Sequence, residues 1–182
     1  MDHTPLKNDQ MHGCLVYDNQ EQFLERTIAY VRDGIESGDK VVFMLGDIDS
    51  KEWIRAYDHV AHGLDEALNS GQLLLPTLEQ MEKILGKVTP GVVIDRWRQM
   101  IIEALKEGYE GFRGGGDASW LKNYFNADDG IMYELGVSEL FDEFPIMGLC
   151  CYKRDQFPKM YLDLLCSKHV HPWQPVLPQW IS

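Results

Sequence analysis

The run Lys40–Leu45 (KVVFML) is apolar without a break after its first residue. A strand with one wet face alternates polar and apolar side chains. An unbroken run suits a strand buried on both faces, as in a parallel sheet covered by helices. Ile146–Tyr152 (IMGLCCY) is a second such run, Gly13–Tyr17 (GCLVY) a shorter one, and Gln72–Leu75 a short fourth strand. Helical patterns separate them. Asp18 with Glu21 reads as a capping box opening a helix whose Leu24, Ile28, Val31 and Ile35 share a face, and Gly38 ends it. Asp49 with Glu52 opens a helix over about residues 50–62, and Thr77 with Gln80 another. Thr89-Pro90 places proline in a first turn, with Val93, Trp97, Met100, Ile101, Ala104 and Leu105 as the buried stripe. Further helices are expected over 131–143, with Tyr133, Val137, Leu140, Phe141 and Phe144 on one face, and over 156–167, with Met160, Tyr161, Leu164 and Leu165 inward. Alternation of this kind specifies an α/β three-layer sandwich, a mainly parallel sheet flanked by helices.

At 182 residues, 45% apolar and 25% charged, the chain reads as one domain over 12–182 behind a polar lead-in at 1–11. The Pro- and Trp-rich end is expected to hold at most one edge strand. A net charge of −12 with scattered Lys and Arg argues against nucleic acid and against a membrane surface. No apolar stretch is long enough to span a bilayer. The cysteines, Cys14, Cys150, Cys151 and Cys166, form no CxxC and three lie in apolar runs, the pattern of reduced, buried thiols in a cytoplasmic protein. Cys150 and Cys151, being adjacent, should face opposite sides of their strand, and a redox role for either is the minor alternative.

Gly108–Asn123 (GYEGFRGGGDASWLKN) is the candidate site segment. It reads as a strand over 109–113, a three-glycine turn at Gly114–Gly116 and a new helix capped by Asp117, with Trp120 on its first turn. Such a turn lets the backbone approach a ligand, and a helix N-terminus offers free N–H donors. The same glycines are equally compatible with a plain strand-to-helix turn. After the first strand the loop reads DNQEQF, with no glycine, no lysine and two acids, so it is no phosphate loop, and ATP hydrolysis is not expected. His59 with His62 and His169 with His171 are metal-type pairs lacking an evident third ligand, and read better as surface or capping histidines. His12 stands near a strand end, where open sheets place their sites. No nucleophile elbow or paired catalytic residues appear, so no enzyme activity, cofactor or metal is expected. Tyr17, Trp120, Tyr133 and Tyr152 at element ends, with Arg113, would suit a small organic ligand.

The chain resembles the MEDS family, a sensory domain of methanogens and methylotrophs, from Met11 to about Trp173. The resemblance rests on His12 with Tyr17 and Asp18-Asn19, on Gly34 to Gly38-Asp39, and on Gly108-Tyr109 to Arg113 with Asp117 and Trp120. It continues in Tyr133-Glu134, in Leu149-Cys150 with Tyr152, and in His171-Pro172. Asp117 stands where that family usually has Glu, beside an extra-glycine look at 114–116. The resemblance implies a RecA-like fold with a degenerate P-loop, and a module sensing small hydrocarbon derivatives. It implies a histidine kinase or transcription regulator as signalling partner; a second copy of the chain is another candidate partner. No output domain is present, so the chain is expected to be a stand-alone sensor or one cut from a longer protein. His12, Tyr17, Arg113, Asp117, Trp120, Tyr133, Glu134, Cys150 and Tyr152 are the expected ligand-binding set. The alternatives are a protein–protein adaptor with a filled nucleotide pocket and a residual nucleotide binder.

Overall fold

The computed structural model describes residues 11–169 and the backbone of 171–172. The lead-in at 1–10 and the tail at 173–182 lie outside the described residues, and Met11 already belongs to the first strand. In chain order the elements are β1 (Met11–Tyr17), α1 (Gln20–Glu36), β2 (Lys40–Met44), α2 (Ser50–Val60), α3 (Leu64–Ser70) and β3 (Leu73–Leu74). Then come α4 (Leu78–Leu85), α5 (Pro90–Glu107), β4 (Phe112–Asp117), a 3-10 helix (Ser119–Asn123) and α6 (Ala127–Glu143). Last are β5 (Ile146–Lys153), α7 (Lys159–Cys166) and β6 (His171–Pro172), the edge strand beside β1. The sheet order is β3-β2-β4-β5-β1-β6, and every pairing is parallel.

Because side chains alternate across a strand, the sheet divides the core in two. Leu15, Val41, Phe43, Leu149 and Cys151 pack under α1, α2 and α3 with Phe23, Tyr30 and Trp53. Val42, Phe112, Cys150 and Tyr152 pack under α4 to α7 with Ile101, Leu140 and Leu165. Cys150 and Cys151 therefore face opposite layers, as their adjacency requires. Capping follows the sequence at Asp49, at the Thr77–Gln80 box and at Thr89-Pro90.

The structure corrects several expectations. Gly114–Gly116 is no turn: it is the middle of β4, held between β2 and β5. A Cβ on Gly115 would lie 2.3 Å from the Leu149 carbonyl oxygen, and Gly116 takes φ +138°. Close backbone approach within a sheet, not a ligand, accounts for these glycines. Asp117 ends the strand and accepts from the N–H and hydroxyl of Ser119, opening only the short 3-10 helix that carries Trp120. Asn19, not Asp18, caps α1. Helix α6 starts four residues earlier than expected because Asn126 and Asp129 form a capping box. On α7 the buried residues are Leu162 and Leu165, while Met160 is 85% exposed. Cys14 and Cys166 are paired as a disulfide joining β1 to α7, whereas Cys150 and Cys151 are free and buried.

Candidate functional site

Four non-local elements bring polar groups together inside the layer of α5, α6 and α7. On β1, His12 faces this layer; on β5, Cys150 and Tyr152 do so two residues apart. Gly148 lies opposite His12, and its missing side chain leaves room for Phe141, whose ring stacks on His12 at 4.9 Å. Helix α6 turns Glu134 and Ser138 inward at a spacing of four. Beyond the last turn of α7, His169 folds back onto the same point, its ring 4.0 Å from that of His12. His12, Glu134, Cys150 and His169 are all at least nine-tenths buried.

The hydrogen bonds fix the tautomers. The Ser138 hydroxyl donates to the Glu134 carbonyl oxygen at 2.8 Å, so its oxygen accepts from His12 Nδ1 at 3.3 Å. His169 Nδ1 lies 3.0 Å from the Leu165 carbonyl oxygen, which can only accept. Both imidazoles thus carry their proton on Nδ1 and turn a bare Nε2 inward. Glu134 Oε2 lies 3.4 Å from His12 Nε2 and 3.3 Å from His169 Nε2. Cys150 Sγ lies 3.6 Å from His12 Nε2 and 3.9 Å from Glu134 Oε2. Tyr152 donates its hydroxyl to Glu134 Oε1. Among the described residues, His169 Nε2 has no hydrogen-bond partner.

Burial dominates the electrostatics. It pushes His12 down to about 3, with the neighbouring His169 adding to the effect, and His169 down to about 4. It lifts Glu134 to about 7 against the Tyr152 and Cys150 hydrogen bonds, and raises the Cys150 thiol well above its ordinary range. Among the described residues, no Lys or Arg pairs with Glu134; its close neighbours are the two neutral imidazoles.

Cavities flank the cluster. A small apolar pocket of about 40 Å³ lies against His12, Cys150, Tyr133 and Phe141. A cleft of about 240 Å³ lies between the 3-10 helix, α6 and α7, with Leu121, Phe125, Phe157, Tyr161 and Leu165 as apolar walls and Glu134 and Tyr152 at its inner end. A separate polar notch of about 380 Å³ lies at the carboxyl ends of the strands, beside Tyr17, Asp18, Asp47, Asp117 and Ser119.

A family model described as the MEthanogen/methylotroph, DcmR Sensory domain (MEDS) matches residues 11–170. The chain belongs to the MEDS family. It is a sensory domain by family. No curated protein matches it. Among solved structures, the flagellar accessory protein FlaH from Methanocaldococcus jannaschii is similar at 14% identity and a TM-score of 0.57, covering 88% of this chain and 70% of that one. At that identity the likeness shows the fold alone, which is RecA-like. Among the described residues, no helix is long and apolar enough to cross a membrane.

In this MEDS domain the expected ligand-binding residues separate into groups. His12, Glu134, Cys150 and Tyr152 meet in the cluster. Tyr133 lines the small pocket beside it, its hydroxyl accepting from Trp97 Nε1 at 3.2 Å. Trp120 packs in the same layer, edge-on to Tyr124. Tyr17 and Asp117 lie on the opposite face, at the polar notch. Arg113 also lies on that face, at the amino end of β4, where Nε donates to Asp39 Oδ2 at 2.7 Å and the guanidinium covers the Tyr30 ring. The structure does not bring Arg113 to Trp120 or Glu134.

Of the surface or capping reading of His169, the capping part holds, since Nδ1 bonds the Leu165 carbonyl at the end of α7; but the residue is buried, and the missing third partners come from β1, α6 and β5. The side chain of its sequence partner His171 lies outside the described residues. His59 and His62 are exposed on and beyond α2, as expected.

Proposed function

We propose that this domain senses a small organic, hydrocarbon-derived molecule bound in the cleft between the 3-10 helix, α6 and α7, and signals in the cytoplasm to a histidine kinase or transcription regulator. The observation that carries the reading is the cleft itself: about 240 Å³, walled by Phe125, Phe157, Tyr161 and Leu165, and ending on Glu134 and Tyr152. Apolar walls with one polar end are what a small ligand with a single functional group requires. Cavities of about 150 Å³ already admit benzene. A ligand of about five heavy atoms gaining about 1 kcal/mol each would bind in the range of about 0.1–1 mM. The polar notch fits a nucleotide poorly, since Asp18, Asp47 and Asp117 border it against Lys153, the single cation among the described residues that line it, and its loop lacks glycine.

Thermal-shift and native mass-spectrometric titrations of the full chain with small methylated compounds test the reading. Ala127 is exposed at the cleft's mouth. Ala127→Trp should abolish binding of every confirmed compound without loss of fold, and Tyr152→Phe should weaken those carrying a polar atom. Compounds that bind Ala127→Trp as tightly as the parent would show that the cleft is not the site.

A further inference from the structure

The buried cluster has more lone pairs than donors. Two imidazole Nε2 atoms, Glu134 Oε2 and Cys150 Sγ converge, and all four lie within 4.8 Å of one another. The Nδ1 protons are committed outward, to Ser138 and to the Leu165 carbonyl. The Tyr152 hydroxyl serves the other oxygen, Oε1, and the Cys150 thiol, while it keeps its proton, is a long 3.9 Å donor to Oε2. His169 Nε2, with its side chain 1% exposed, is left without a hydrogen-bond partner among the described residues and faces Glu134 Oε2. Orphaned buried nitrogens are rare and mark a missing partner.

We propose that His12, Glu134, Cys150 and His169 bind one divalent transition-metal ion of the zinc class.

Three independent features agree. First, four of the six edges of the cluster run from 3.3 to 3.9 Å, and none exceeds 4.8 Å. Zinc bonds of about 2.0–2.1 Å to nitrogen and about 2.3 Å to sulfur give tetrahedral edges of about 3.3–3.7 Å. Second, a thiolate and a carboxylate neutralise a divalent ion, so the loaded site buries no net charge, whereas among the described residues the carboxylate alone has no Lys or Arg paired with it. Third, three of the four proposed ligands have an outer partner: Ser138 for His12, the Leu165 carbonyl for His169 and Tyr152 for Glu134. Such partners orient and tune metal ligands. The sulfur and two imidazoles select zinc, cobalt or iron(II) over magnesium or calcium, which take oxygen ligands. The ligands come from β1, α6, β5 and the segment after α7, so the ion would tie that segment to the sheet. The proposal stands whatever fills the neighbouring cleft.

The test is metal analysis of the full chain purified under reducing conditions, followed by titration of the metal-free form with cobalt alone. One ion per chain is expected, with a thiolate-to-cobalt charge-transfer band and the intense visible bands of a four-coordinate ion. Cys150→Ser should remove the charge-transfer band. His169→Ala should weaken cobalt binding at least about 100-fold, and Ser138→Ala by about 10–100-fold, the range for an outer partner. Ala127→Trp, which blocks the cleft, should leave the cobalt spectrum unchanged, so this test fails or succeeds independently of small-molecule binding. A parent chain that binds less than about 0.1 cobalt per chain at ten times the concentration of sites would overturn the proposal, as would Cys150→Ser retaining the parent spectrum.

Discussion

Replacing Arg113 with Met separates a structural arginine from a ligand handle. Its ion pair with Asp39 spans 2.7 Å, with the two side chains only 11% and 14% exposed. Met keeps most of the volume beside Gly34, where a Cβ would come within 2.7 Å of Arg113 Cδ, but removes the charge. Breaking a fully buried pair from one side costs about 3–5 kcal/mol, because the remaining charge is stranded. The residual exposure of Asp39 lets water recover part of that, leaving about 2–4 kcal/mol. The guanidinium stacked 5.5 Å from the Tyr30 ring centroid adds about 0.5–1 kcal/mol. The expected loss is therefore about 2.5–5 kcal/mol, or about 5–20 °C in Tm for a chain of this size. Urea unfolding should show a lower midpoint at an unchanged slope. A double-mutant cycle with Asp39→Asn should return a coupling of about 2 kcal/mol. Affinity for any compound bound in the cleft should stay within about two-fold, since Arg113 lies across the sheet. Unchanged stability together with a ten-fold or greater loss of ligand affinity would refute this assignment and restore Arg113 as the polar handle.

Two further perturbations probe β4 and its end. Gly115→Ala should cost about 3 kcal/mol or more, because its Cβ meets the Leu149 backbone rather than a movable side chain; a urea midpoint matching the parent's would show that β4 is not packed this way. Burial holds the Asp117 carboxyl above its ordinary value of 3.8. The folded state then keeps a proton that the unfolded chain has lost, so this contribution is full below that value and is lost as pH rises through the folded pKa. Asp117→Asn should consequently gain on the parent in urea midpoint as pH is raised from acid to neutral; a difference that shrinks with rising pH would contradict the assignment.

Much of the architecture was legible because buried parallel strands leave unbroken apolar runs such as VVFML, and because caps such as Thr77–Gln80 are local chemistry. Where local signals were weak, neighbours decided. Gly114–Gly116 carries no side-chain pattern, and β2 and β5 impose its strand from both sides. Helix α3 begins at Gly63 without a side-chain cap, so no local signal marked its start. On α7 the apolar residues Met160, Tyr161, Leu162, Leu164 and Leu165 permit more than one face, and docking against α6 chose Leu162 and Leu165. The site was half visible. His12, Glu134, Cys150 and Tyr152 were marked by family resemblance, but not their convergence, since His12 and Cys150 stand 138 residues apart. The role of His169 depends wholly on where the end of α7 packs, which its neighbours in sequence do not encode.

The proposed site lies in the layer of α6 and α7, around Glu134, and not at the carboxyl ends of the strands where a RecA-like fold would hold a nucleotide. A crystal structure of the full chain soaked with the tightest-binding small methylated compound tests it most directly. That compound should lie in the cleft, touching Phe125, Phe157 and Tyr161 with its polar atom toward Tyr152 and Glu134. The compound bound instead at the notch of Asp18, Asp47 and Asp117 would contradict it.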